Sequence, residues 1–244
     1  MDAISISAAS GMKARMESLE LLANNLANVE TGGFKGDREF YSLYTSLDAS
    51  TDPQTGDLTT LPVIEKHWTD LAQGDLHTTG NPLDFAIDGD GLFAIQTPRG
   101  IRYTRNGSFR LSATGVLTTI DGSSVRAKGG GQIQLQPGLP VQVQTDGSVS
   151  QGVQVAGQME LVTFSAGTVN KEGSNYWVPV PGVAPQPAKG SLLQGRLEGS
   201  NVGGPESAVR LVAIMRQFEM LQKAMSIGND LNKRAIDEVA RVQS

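Results

Sequence analysis

Few residues in this chain have the types and spacing that catalysis or metal binding requires. Cysteine is absent, which removes thiolate nucleophiles, disulfides and Cys-ligated zinc. The two histidines, His67 and His77, do not by themselves make a three-His metal site. Asp88-Gly-Asp-Gly-Leu92 resembles the start of a calcium loop, but no bidentate Glu follows at the spacing an EF-hand requires, and the same residues read as turns. Gly129-Gly130-Gly131 lacks the Lys-Ser/Thr of a phosphate loop, and no Gly-x-Gly-x-x-Gly opens a helix. No Gly-x-Ser-x-Gly elbow occurs. Asn106-Gly-Ser108 fits a glycosylation acceptor, yet Asn-Gly is also the strongest two-residue hairpin turn, and the turn reading is preferred. His67 beside Trp68 reads as a strand-face pair, and Asp237-Glu238 as part of a solvated helix face. These residues predict no enzyme, no cofactor and no metal.

The elements carry more information than the candidate sites. Ile4 to Val29 reads as one helix, in which Ala9, Met12, Met16, Leu19, Ala23 and Leu26 recur at alternating steps of three and four, a heptad seam. Leu22 widens the stripe, and Thr31-Gly32-Gly33 supplies glycines to end the helix. The last forty residues repeat the pattern: Pro205 suits a first turn, Glu206 faces the helix dipole, and Leu211, Ile214, Phe218, Leu221 and Met225 follow at heptad spacing. Ala235, Val239 and Val242 extend that seam, which Gly228-Asn229 interrupts.

Between the helices lies a segment of β character. Asp88-Gly89, Asp90-Gly91, Asn106-Gly107, Asp121-Gly122 and Asp146-Gly147 punctuate short strand-like runs at 92–96, 101–105, 108–111, 116–120, 133–135, 141–144 and 159–164. Ile101 to Leu111, turning at Asn106-Gly107, is the clearest hairpin by this reading. Val178 to Pro187 holds four prolines and reads as an irregular loop or edge. The predicted fold is α+β: a helix over 1–35 and a helix over 201–244 pair as a coiled coil around a central, mostly antiparallel β domain over 36–200. Narrow apolar seams are unstable alone in water, so they must pair in cis or with further copies of the chain.

Length and composition narrow the classes further. The 244 residues suffice for a sizeable core, and the net charge of −5 argues against nucleic acid or anionic lipid held by general electrostatics. No run of about 20 apolar residues predicts membrane insertion. Met1 to Ser10 lacks the basic and apolar regions of a secretory signal peptide, so these features alone predict a cytoplasmic protein and leave open an export route that reads no cleavable signal.

Three blocks carry a family resemblance. Leu22-Ala-Asn-Asn-Leu-Ala-Asn-Val-Glu-Thr-Gly-Gly-Phe-Lys35 resembles the N-terminal signature of the bacterial flagellar rod and hook proteins. Gly80 to Phe93 and Tyr103-Thr-Arg-Asn-Gly-Ser-Phe109 are similar to the family's core hairpins, and Leu197-Glu-Gly-Ser-Asn-Val202 with Arg216 to Lys223 is similar to its C-terminal signature. Asn24, Asn25 and Asn28 fall together on the helix, where their amides can bond across to neighbouring helices and fix register; helix-end polarity is the alternative. Phe34 would anchor the helix exit in apolar surroundings, and Ser200-Asn201-Val202 would cap the approach to the last helix.

The resemblance implies a structural subunit of the rod, the axial drive shaft, exported unfolded through the flagellar type III apparatus. It implies self-association and contact with other rod and hook-basal-body proteins in the periplasmic part of the basal body, the paired helices lining an inner tube. Tyr44 to Val63 matches the Gly-rich insert of the distal rod protein poorly, and the C-terminal block looks more like a proximal rod protein; the distal protein is the alternative. From other classes, a secreted wall-active enzyme or a dimeric binding module remain alternatives. The residues expected to serve assembly are Met12, Met16, Leu19, Asn24, Asn25, Leu26, Asn28, Phe34, Leu211, Ile214, Phe218, Leu221 and Met225.

Overall fold

A computed structural model of the chain describes residues 3–45, 60–165 and 167–242. The chain is α+β and folds into two compact units. The first contains residues 1–27, 37–69 and 204–244; the second contains 28–36 and 70–203.

In the first unit, α1 (Ala3–Ala27) packs against α2 (Gly204–Val242) and against a ribbon of two antiparallel strands, β1 (Asp37–Thr45) and β2 (Thr60–Thr69). Both helices fall where the 3,4 spacing places them, with Pro205 and Glu206 in the first turn of α2. Gly228 does not break α2, which runs through it without interruption. The ribbon pairs Asp37 with Thr69 and Arg38 with Trp68, and it carries a bulge at Phe40/Tyr41. The Arg38 guanidinium lies 5.9 Å from the Trp68 ring centroid. This ribbon groups with the helices, not with the β segment in which the linear pattern placed it. Residues 46–59, most of the stretch compared with the distal-rod insert, and the side chains of Ala235, Val239 and Val242 lie outside the described residues.

The second unit is built on a sheet whose strands run, edge to edge, 169–172, 176–179, 100–104, 92–97, 124–125, 117–119 and 109–111, with 161–163 also paired to 92–97. Alternation along 92–95 divides its core between two faces. Phe93 and Ile95 join Phe85, Phe109, Leu117, Ile133 and Met159 on one side; Leu92 and Ala94 join Tyr103, Val162 and Trp177 on the other. Asp121-Gly122 and Asp146-Gly147 turn tight hairpins as the sequence predicts. Residues 133–135 form only an isolated bridge, Val116 with Gln134, in place of a strand. The proline-rich stretch supplies the end of strand 176–179 and a two-residue edge piece at 186–187.

The hairpin predicted over 101–111 is not formed. Strand 100–104 pairs with 92–97 and 176–177, whereas 109–111 pairs with 117–119. Asn106 and Gly107 both keep negative φ, so the two-residue turn with positive φ that Asn-Gly favours is absent. Gly107 is required for a different reason: a Cβ there would lie 1.7 Å from the Phe85 carbonyl oxygen. Its own carbonyl accepts the Phe85 N–H at 3.0 Å. Close backbone approach, not turn geometry, fixes this glycine.

Candidate assembly site

The two helices expose their apolar residues unequally. On α2, Leu211, Ile214, Phe218, Leu221 and Met225 are each buried or half-buried, so the heptad seam is the covered face. Opposite it runs a second apolar stripe, exposed at Val209, Met220, Ile227 and Leu231. On α1 the covered line is instead Ala14, Ser18, Leu22 and Asn25, and a Cβ at Gly11 would touch the Leu221 side chain at 3.6 Å. Small residues on that line let α2 approach. The seam read from sequence lies roughly a third of a turn away around α1. There Met12, Leu19 and Leu26 are half-buried, Ala9 and Ala23 exposed, and Met16 is 51% exposed.

The asparagines divide between several tasks. Asn25 is buried and bonds within its own unit: Nδ2 donates to the Asp37 carbonyl at 2.8 Å and Oδ1 accepts the Asp37 N–H at 3.0 Å. It ties the end of α1 to the start of β1, so its amide is already engaged inside the subunit. Asn24 is exposed. Asn28 accepts from the Thr31 hydroxyl at 3.2 Å, and the Thr31 N–H donates to the Asn28 carbonyl at 3.1 Å. At the far side of the ribbon, Arg210 of α2 reaches Glu39 of β1 at 3.6 Å.

Inside the second unit the three motif blocks meet. Glu198 is fully buried; its Oε1 accepts from Lys35 Nζ at 2.5 Å and from the Gly74 N–H at 2.9 Å, and its Oε2 accepts from Arg105 Nε. Arg105 completes its fork on the carbonyls of Ile87, Gly89 and Gly91, so Asp88-Gly-Asp-Gly91 cradles a guanidinium with backbone oxygens. Lys35 donates also to the Ala72 carbonyl at 2.6 Å. Burial lowers the Lys35 pKa; the bond and charge of Glu198 oppose that shift, and the charge of Arg105 adds to it. Removing one member of such a buried set costs about 3–5 kcal/mol.

Phe34 is fully buried, with the Lys171 ammonium 3.8 Å from its ring centroid. Gly33 (φ 69°) has no room for a side chain, since a Cβ would lie 2.5 Å from the Asn106 nitrogen. Its N–H donates to the Glu198 carbonyl at 2.7 Å. Asn201 binds inward rather than capping α2: Oδ1 accepts the Gly36 N–H, and Nδ2 donates to the carbonyls of Asp70 and Ala72. Sequence reasoning did not single out Lys35, Arg105 or Glu198, and it gave Asn201 only a capping role. The available signal was a charged or amide residue embedded in each of three glycine-rich or apolar blocks.

Among the described residues no group of three or more His, Asp or Glu is placed to hold a metal, and no helix is long and apolar enough to cross a membrane.

Comparison with known proteins follows the same division. Residues 7–35 match the flagella basal body rod protein family, 86–151 the flagellar hook protein FlgE/F/G D1 domain, and 193–238 the flagellar basal body rod FlgEFG protein C-terminal family. Over 231 residues the chain is 36% identical to flagellar basal-body rod protein FlgF of Caulobacter vibrioides, covering 92% of each chain. It is 34% identical to FlgF of Mesorhizobium japonicum, covering 87% of each. It is also 32% identical to flagellar basal-body rod protein FlgG of Bacillus subtilis, covering 93% of this chain and 96% of that one. Matches at both helical ends and in the β unit make this an axial structural protein of the flagellum. Within that class, the chain belongs to the flagellar basal-body rod protein family, as a structural subunit of the rod of the basal body.

Proposed function

We propose that the chain is a proximal rod subunit of the FlgF type, which polymerises by covering its outer helix faces with those of neighbouring copies. The observation that carries this is the apolar surface left uncovered on each helix of the subunit: Met16 on α1, and the stripe Val209, Met220, Ile227 and Leu231 on α2. Exposed apolar side chains aligned along one helix face mark a contact still to be made. In the polymer, Met12, Met16, Leu19 and Leu26 pack against adjacent helices, and α1 and α2 take part in a coiled-coil layer. Leu211, Ile214, Phe218, Leu221 and Met225 hold the pair together within each subunit, and Asn24, Asn28 and Phe34 fix the exit of α1. Other rod and hook-basal-body proteins are its further partners, and the flagellar type III apparatus exports it. Its role is structural, without catalysis or cofactor.

The higher identity to the two FlgF proteins than to B. subtilis FlgG supports the proximal position. The extent of the FlgG match favours the distal position as the second reading. Electron micrographs of basal bodies from a strain lacking this chain decide between them. A rod that stops near the motor, restored by the wild-type chain, is expected. A rod missing only its distal part supports the second reading, and normal motile flagella overturn both.

A further inference from the structure

We propose that Glu198 and Asn201 are positioning residues, which fix where the chain leaves and re-enters the second unit, so that load carried along the chain meets segments held in one hydrogen-bonded knot. The load-bearing part rests on the rod reading; the knot itself does not.

The chain passes between the two units at 27/28, 36/37, 69/70 and 203/204. Three of these passages adjoin segments 33–36, 70–74 and 198–201 of the second unit, and each of these segments is bonded to the other two. Segment 33–36 meets 198–201 through Gly33 N–H to the Glu198 carbonyl, Asn201 N–H to the Phe34 carbonyl at 3.2 Å, and Gly36 N–H to Asn201 Oδ1 at 2.8 Å. Segment 70–74 meets 198–201 through Asn201 Nδ2 to Asp70 O at 2.7 Å and Ala72 O at 3.1 Å, and through Gly74 N–H to Glu198. Segments 33–36 and 70–74 meet through Asp70 N–H to Gly36 O at 2.9 Å and Lys35 Nζ to Ala72 O. Arg105 then locks Glu198 to the loop at 87–91.

Stability alone does not call for this construction. Well-packed apolar residues of similar volume often serve a core as well as a buried ion set does. Charged and amide groups that each have several fixed partners instead specify direction, because a displaced strand strands a buried donor or acceptor. The glycines show how closely the backbone is held. A Cβ at Gly74 would lie 2.4 Å from the Gly199 oxygen, and one at Gly33 would strike the backbone at Asn106. At these two positions the backbone itself is the contact, and no side chain fits. The three motif blocks therefore belong together because their residues close one knot within the second unit.

The test uses full-length Glu198→Gln and Asn201→Ala, with hydrogen exchange read amide by amide. Exchange at Gly33, Gly36, Asp70, Gly74 and Asn201 is expected to accelerate about tenfold or more, while the core amides of Phe93 to Ile95 stay within about twofold. Asn201→Ala keeps the question answerable where Glu198→Gln disturbs folding, because it strands no charge. Unchanged exchange at the knot in Asn201→Ala overturns the proposal. So does equal acceleration of knot and core, which would make the residue an ordinary stabiliser. In cells, Asn201→Ala is expected to build rods that swim normally in dilute medium and slow disproportionately in viscous medium. Unimpaired swimming under viscosity, or loss of the rod itself, overturns the load-bearing role. Failure of the wild-type chain to restore a rod overturns the rod reading and leaves the exchange result standing.

Discussion

Tyr176 and Asp121 show how one hydrogen bond sets the response of the β unit to pH. The Tyr176 hydroxyl donates to both carboxylate oxygens of Asp121 at 2.8 Å. Burial first, and then the bond to and charge of Asp121, push the phenol up to about 12 from its ordinary 10.0. A raised folded pKa means that the stabilisation is fully present below about pH 10. It is lost as pH climbs through about 12, since the unfolded chain releases its proton first. Tyr176→Phe is expected to cost about 1 kcal/mol near neutral pH and to flatten the alkaline loss, measured by urea unfolding at about pH 8 and about pH 11. Burial raises Asp121, but bonds from Thr119 and Tyr176 outweigh it and lower the carboxyl overall, so its contribution is lost on the acid side instead. An undiminished alkaline slope in Tyr176→Phe would assign that slope to another group, Tyr103 being the obvious one because burial raises it as well. At this scale the sequence reveals residue types but not pairings. Lys35, Arg105 and Glu198 stand 70 and 93 positions apart, and no local spacing announces that one carboxylate serves both cations.

At the scale of elements, the face of α2 is legible in the heptad spacing of Leu211 to Met225, whereas that of α1 is not. The line that α1 buries runs through Ala14, Ser18 and Asn25, small or polar residues that a search for apolar periodicity passes over. Small volume on that line suits close helix approach, whereas Met16 lies exposed on another face. The false hairpin at Asn106-Gly107 has the same origin: glycine was required for contact with Phe85, and the turn dipeptide was incidental. These assignments separate two substitutions. Ile214→Asp buries a carboxylate at a residue only 5% exposed and should abolish the helix pair, at a cost of several kcal/mol. Met16→Asp should shift subunit stability by no more than about 0.5 kcal/mol, yet prevent incorporation into basal bodies. Circular dichroism melts of the purified variants, with pelleting of basal bodies from the same strains, measure both; rods built from Met16→Asp subunits would remove α1 from the assembly surface. Gly228 offers a gain in the opposite direction. A Cβ there meets nothing within 4 Å, and α2 is helical on both sides. Gly228→Ala should stabilise the helix by about 0.8 kcal/mol, read as a higher melting temperature of the helical signal.

Across the whole molecule, apolar burial among the described residues is divided unevenly between the units. The second unit holds clusters around Phe93 and Trp177, while the hydrophobic residues described as buried in the first are Ala14, Leu22 and Ile214. A lone two-stranded ribbon is marginal in water, and helices with a narrow covered stripe depend on packing for most of their stability. The order of helix, β segment and helix is legible because periodicity changes near 35 and near 200. The return of 37–69 to the helices is not, since which unit a ribbon joins has no linear period. The free subunit should therefore melt in two steps, the first unit before the second. Leu22→Ala should lower only the first transition, and Ile95→Ala only the second, each by about 2–5 kcal/mol. Calorimetry of the purified subunit measures this, and a single transition moved by both variants would show that the units unfold as one. In the assembled rod the order should change. Neighbours that cover Met16 and the outer stripe of α2 bind only the folded helices, so mass action raises the first transition toward or beyond the second. Hydrogen exchange across residues 9–27 should consequently slow by orders of magnitude on polymerisation, with little change at 92–97. Equal protection of those helical amides in free and assembled protein would mean that the helices are already complete in the subunit, and that assembly uses another surface.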